Sequence, residues 1–138
     1  MKNLLLLTIL VGAIIIISQP LAFGYYPQTH HTTLTLKPIP SSVQEGNKII
    51  FAGTLLTSDD KTPLANKTVY IQYDSPYEWT RTIASATTDN NGNYEIIWIA
   101  KPKLSSACTY NIFAIFHGDD DNYYSVSNQF RLYVATNS

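Results

Sequence analysis

Three consecutive aspartates, Asp119, Asp120 and Asp121, follow Gly118 in the stretch FHGDDDNYYSVS. Carboxylates in a glycine-containing loop are the raw material of a calcium site, and calcium takes about six to eight oxygen ligands, usually from more than one segment. Successive side chains in a loop rarely converge on one point, so a second contributor is required. Two segments offer one: Asp89, Asn90, Asn91 and Asn93 in DNNGN, and Asp59 and Asp60 in TSDD. The expected reading is a solvated turn between the last two strands, whose acids bond their own backbone and keep a sheet edge soluble, with calcium at Asp119, Asp120 and Asp121 as the alternative. DNNGN has the spacing that begins a calcium loop, but its closing glutamate position is Ala100, and Glu95 comes too early. Asn91–Gly92 is instead a two-residue hairpin signal, because both residues tolerate positive φ.

Other reactive side chains are sparse. His30, His31 and His117 are the only histidines. Tetrahedral zinc needs about three or four fixed ligands, and adjacent side chains on an extended lead point apart, so these are expected exposed and unliganded. Cys108 is the single cysteine and cannot form a disulfide within the chain. It is expected as a small buried apolar residue, with an intermolecular disulfide as the alternative. Nine residues of strand separate it from His117, far more than hydrogen-bond reach. No nucleophile elbow and no glycine-rich phosphate loop is present, and acid pairs suited to glycoside hydrolysis can be drawn too freely to carry weight. A non-catalytic protein is therefore expected.

Features suited to binding are clearer. YDSPYEW sets Tyr77 and Trp79 around a Ser75–Pro76 turn. Standing out from a sheet, these rings make a stacking or protein-contact platform; packed down, Trp79 merely starts the next strand. Asn66–Lys67–Thr68 is an N-glycosylation sequon in an expected surface turn.

Something must position these residues, and the period of the chain says what. From Thr32 onward apolar residues recur every second position. Leu34 and Leu36 alternate in TLTLKPI; Ile49, Phe51, Gly53 and Leu55 in KIIFAGTLL; Val69, Ile71 and Tyr73 in TVYIQY. WTRTIASATT is a weaker, more polar run. Tyr94, Ile96 and Trp98 share a face in NYEIIWIA, as do Tyr110, Ile112, Ala114 and Phe116 in TYNIFAIF, and Phe130, Leu132 and Val134 in NQFRLYV. Seven such runs, separated by turn-rich segments, predict a seven-stranded antiparallel β-sandwich.

The chain has 138 residues, with ten tyrosines and five phenylalanines. Residues 1–24 have the layout of a signal peptide. Lys2 supplies the positive start, Leu4 to Ile17 the apolar run, Pro20 the break, and Ala22 and Gly24 the small residues before a cleavage site. An uncleaved N-terminal anchor is the alternative, and the only expected contact with a membrane. Residues 25–31, YYPQTHH, read as a flexible lead, and 32–135 as one domain. With Lys2 set aside, eight Lys and Arg stand against ten Asp and Glu, a net charge of −2. No basic stripe exists to displace phosphate counterions, so nucleic acid is not an expected partner.

The order VQEGNKIIFAGTLL, TPLANKTVYIQY, ATTDNNGNYEIIWIA, TYNIFAIFHGDDDNYYSVSNQFRLYV resembles the Ig-like domains of bacterial and archaeal cell-surface proteins. The middle part, TPLANKTVYI followed by TTDNNGNYEI, also looks like the transthyretin-like domains attached to carboxypeptidases. The Ig-like resemblance implies a Greek-key sandwich on the cell surface or secreted. It implies adhesion, display or envelope assembly through loop tips and a sheet edge, with other surface proteins or glycans as partners and no shared catalytic residues. The alternative role is a small calcium- or carbohydrate-binding accessory module. Within the resemblance, Tyr110 is placed like a tyrosine corner, its ring closing one end of the core and its hydroxyl bonding nearby backbone.

Overall fold

A computed structural model describes residues 27–75, 78–103 and 106–137, with the side chains at 75–79 outside the description. The proposed signal peptide lies outside the described residues. Nine strands and no helix make up the described chain: β1 Thr32–Leu34, β2 Ser42–Gln44, β3 Lys48–Thr57, β4 Thr68–Ser75, β5 Glu78–Thr87, β6 Asn93–Ile99, β7 Cys108–Phe116, β8 Ser125–Val126 and β9 Phe130–Ala135. They form an all-β, sandwich-like fold of two sheets. One sheet has the order β1-β3-β6. The other has the order β2-β9-β7-β4-β5, with β8 also paired to β7.

The alternation of inward and outward residues holds along β3, β4, β6 and β9, and along β7 save that Phe113, at an outward position, is also buried; β5 loses it where its pairing with β4 shifts register. In β3, Ile49, Phe51, Gly53, Leu55 and Thr57 are buried. Ile49, Phe51 and Leu55 join Val69, Ile71, Ile112, Leu132 and Val134 of the opposite sheet in one continuous cluster. Burying one such aliphatic side chain contributes roughly 1.5–3 kcal/mol. Because the chain has no disulfide, this cluster must hold the two sheets together.

Two features correct the expected seven antiparallel strands. One added strand follows the first apolar run. β1 pairs antiparallel with β3, and the contact continues through Thr35 N–H to Thr54 O and Lys37 N–H to Ala52 O. Pro38 and Pro40 then interrupt it, since proline has no N–H to donate to a ladder. The chain crosses to the other sheet, where β2 runs parallel to β9, with Val43 opposite Val134. The other added strand, β8, precedes the last run. β8 pairs with Phe116 and Ile115 of β7; Ser127 keeps that register, its N–H donating to Ala114 O, but ends the ladder because its hydroxyl accepts from Ala114 N–H.

Position 53 admits only glycine. A Cβ there would lie 1.9 Å from the Thr35 carbonyl oxygen and 2.7 Å from the Tyr94 hydroxyl. The freed space lets Tyr94 Oη donate to Thr35 O at 2.6 Å. At the other end of the core, Tyr110 Oη donates to Lys101 O at 2.7 Å, nine residues upstream. The Tyr110 ring meets Tyr73 and Trp98 edge-on, with centroids 4.9 and 5.9 Å away. Burial pushes both phenols, Tyr94 and Tyr110, well above the ordinary tyrosine range. Cys108 is half-buried beside this cluster, and its Sγ accepts from Lys103 N–H at 3.4 Å.

DNNGN forms a tight turn but does not join a hairpin of its two neighbours. Asp89 N–H donates to Asn93 O and Gly92 N–H to Asp89 O. Asp89 Oδ1 accepts from the N–H groups of Asn91 and Asn93 at 2.8 and 2.9 Å. The strands on either side, β5 and β6, belong to opposite sheets. Gly92 O already accepts from Leu55 N–H, so the turn feeds β6 onto β3 rather than back onto β5.

Candidate functional site

The last strand residues of β7 and the first of β4 lie side by side, because Tyr70 pairs with Ile115. This brings the segments that follow β7 and precede β4 together around an open cleft of about 270 Å³, lined by Asn66, Lys67, Thr68, Tyr70, Phe116, His117, Gly118 and Asp119. Ligand pockets usually start at about 300 Å³, so the cleft is small. Lys67 Nζ and Asp119 Oδ2 form an ion pair across it. Tyr70 and His117 lie tilted against one another with centroids 5.1 Å apart.

Asp119 is the organising group of its loop. Its Oδ1 accepts from Asp121 N–H, Asn122 N–H and Asn122 Nδ2 at 2.9–3.0 Å. Burial works against its charged form. The Lys67 ammonium, the Asn122 amide and the two backbone N–H groups outweigh it and hold the carboxyl below the usual carboxylate range. Asp120 and Asp121 point to solvent as exposed residues. Of the three carboxylates, that of Asp119 is thus taken up by its own loop and one lysine. Among the described residues no group of three or more His, Cys, Asp or Glu could hold a metal ion, so calcium at Asp119, Asp120 and Asp121 gains no support.

The lead expected to be flexible is tied to this loop from Gln28 onward. Gln28 Nε2 donates to Asp119 O at 2.8 Å. Thr29 and His30 N–H both donate to Asp121 O, and Tyr123 N–H to His30 O. His31 stacks on Tyr123 with centroids 4.7 Å apart and planes 18° apart. His30, His31 and His117 are all exposed, and His117 is apart from the other two, on the Tyr70 ring.

Asn66 stands at the cleft rim, exposed, with a positive φ of 59°. Its N–H donates to Thr88 O, which leaves the side chain free of the ladder. Tyr77 lies outside the described residues, and Trp79 lies in β5 with its side chain outside the description. A second cleft of about 330 Å³ lies on the outer face of the three-stranded sheet, lined in part by Lys37, Asp89, Tyr94 and Glu95. Asp89 there is already committed to its turn.

Sequence reasoning did not find the Lys67–Asp119 or Tyr70–His117 contacts. The lysine and aspartate are 52 positions apart, and only the β4–β7 pairing joins them. It also left unremarked the outward isoleucines Ile50, Ile97 and Ile99. Their signal was present, because II in KIIFAG and II in EIIWIA put an apolar residue on both parities.

No protein-family description matches the chain, and no curated protein does. Among solved structures it is similar to a beta-glucosidase from Listeria innocua, crystallised with gluconolactone, at 12% identity and a TM-score of 0.41. The match covers 75% of this chain and 16% of the glucosidase chain.

Proposed function

We propose that the protein is a non-catalytic Ig-like domain, secreted or held at the cell surface, that serves adhesion, display or envelope assembly through its loop tips and a sheet edge. The observation that carries this reading is the strand order together with the Tyr110 bond. The order of the sheets, β1-β3-β6 and β2-β9-β7-β4-β5, supports this reading, because an Ig-type Greek key whose first two strands lie in different sheets would have it. Tyr110 bonding to Lys101 O supports it as well, since a tyrosine corner in that architecture would make such a bond. The cleft at Lys67 and Asp119 supports contact rather than chemistry. Its one carboxylate is neutralised by a lysine and anchored by backbone, so it is a poor base.

The test is export and surface binding together. The full-length chain, carrying a C-terminal tag, is expressed in a prokaryotic host and fractionated. The expected result is a product outside the cytoplasm, accessible to protease on intact cells, that binds isolated cell envelopes saturably. Retention in the cytoplasm, or no saturable binding to envelopes, overturns the proposal.

A further inference from the structure

The described sheets end at four strands, β1, β6, β2 and β5, and these edges are not equally guarded. β1 and β2 are three residues each. β5 is rich in exposed polar residues, among them Arg81, Thr82, Ser85 and Thr87, and its pairing with β4 is broken by register shifts. Short edges, bulges and charges are the usual defences against pairing with another chain. β6 has few of them. It pairs with β3 in unbroken register from Asn93 to Ile99, and it contains neither proline nor glycine.

Its outer face is apolar. Ile97 is 59% exposed and Ile99 43%, and Ile50 of β3, opposite Ile97, is 53% exposed. Glu95 closes the face at one end and Lys48, opposite Ile99, at the other. The open hydrogen-bonding groups can be assigned from the ladder. Ala100 N–H donates to Asn47 O and Leu55 N–H to Gly92 O, both in the register of the β3–β6 pair. Even-numbered residues of β6 therefore exchange bonds with β3, and the N–H and C=O groups of Glu95, Ile97 and Ile99 point away from it. No described group bonds them.

We infer that β6 pairs antiparallel with β6 of a second copy of this chain, across a twofold axis at Ile97. This deepens the assembly reading above and rests on it. A twofold at Ile97 sets Ile97 against its own counterpart and Glu95 against Ile99, which are the edge-facing residues, so the ladder closes with about six backbone bonds. The outer face then carries a continuous row of Ile50, Ile97, Ile97 and Ile50. In the flanking rows Glu95 of one copy comes beside Ile99 of the other, two strands from Lys48, within reach of that long side chain. Half-buried Trp98 comes opposite the second copy's Ile96 on the inner face. An unrelated extended peptide could use the same bonds, but a second copy also matches the isoleucine row and the charges at both ends. A symmetric contact of this kind closes at two chains.

The test is sedimentation of the full-length expression product from about 1 µM to about 1 mM, a range that spans weak to moderate dimers. The expected result is a monomer–dimer equilibrium. Ile97→Lys, on an exposed site, should weaken it at least about tenfold while leaving the near-ultraviolet circular dichroism unchanged. Glu95→Lys should weaken it as well, and the double variant K48E/E95K should restore it, which keeps the proposal testable should Ile97→Lys fail to fold. A monomer throughout the range overturns the inference. So does a dimer indifferent to these changes, or an open-ended fibre. A monomer that is exported and still binds envelopes removes only the self-pairing; a dimer retained in the cytoplasm removes the proposed function and leaves the β6 contact in place.

Discussion

Replacing Gly53 by alanine tests the central packing of the small sheet with one methyl group. The added Cβ would sit 1.9 Å from Thr35 O, where real Cβ atoms essentially never come within 3.0 Å. The Thr35 carbonyl must therefore withdraw by about 1.1 Å, and backbone rather than a flexible side chain has to move. Two bonds depend on where that residue lies: Thr35 N–H to Thr54 O at 2.9 Å and Tyr94 Oη to Thr35 O at 2.6 Å. Each is worth about 1 kcal/mol, and overpacking adds about 1–3 kcal/mol. Relief of glycine's backbone entropy returns about 0.5–1 kcal/mol. The net loss is about 2–4 kcal/mol, which lowers Tm by at least about 10 °C in a domain of this size. Urea unfolding of Gly53→Ala, Tyr94→Phe and the double variant separates the terms. Tyr94→Phe should cost about 1 kcal/mol alone and close to nothing once Gly53→Ala has moved its acceptor. A Gly53→Ala loss under about 1 kcal/mol, or additive single costs, would refute the reasoning.

Tyr110→Phe should lower stability by about 1 kcal/mol through loss of the bond to Lys101 O; equal urea midpoints would show that the hydroxyl is idle. Asp119 and Asp60 both have depressed carboxyl pKa values, Asp60 at about 2 through bonds from Thr57 and Thr62. Their stabilising effect is therefore complete above the unfolded value of about 3.9 and is lost as pH falls through the folded values. Thermal unfolding between about pH 5 and about pH 2 should show the loss, and Asp119→Asn should flatten it. Tyr94 and Tyr110 act oppositely: their raised pKa values give a stability that is whole below the free-tyrosine value of about 10 and declines above it. Ultraviolet titration of tyrosinate should leave these two silent until the chain unfolds, and Phe at both positions should remove the alkaline loss. Millimolar calcium should leave Tm unchanged, because the carboxylate best placed to bind it is held by Lys67; a clear rise would mean that calcium binds the folded chain.

Core positions were legible because burial on a pleated strand repeats every second residue. Phe51, Ile71, Ile112 and Leu132 could be named from that period alone, and all are fully buried. Turn chemistry was legible too, as in the carboxylate of Asp89 caging its own loop. Which strand a turn leads to was not. DNNGN has the composition of a hairpin, yet its flanking strands pair in different sheets, since partner choice is a long-range matter. Pro38 and Pro40 could be read as a break, but the change of sheet depends on β9, about ninety positions further on. The same distance hid the Lys67–Asp119 pair. In the outward isoleucines the departure from alternation was visible in the letters, while its cause lies in the open edge beside them.

The parallel match of β2 to β9 has a mechanical consequence. The two strands run in one direction, so a pull on the residues before β2 and on those after β9 slides one along the other. Their bonds, with those of Glu45 N–H to Ala135 O and Tyr133 N–H to Ser41 O, are then loaded in shear and must yield together. In an antiparallel terminal pair they would unzip singly. A domain stretched between two tethers would resist tension at this clamp first, and a proline at Val43 would make it give way at lower force.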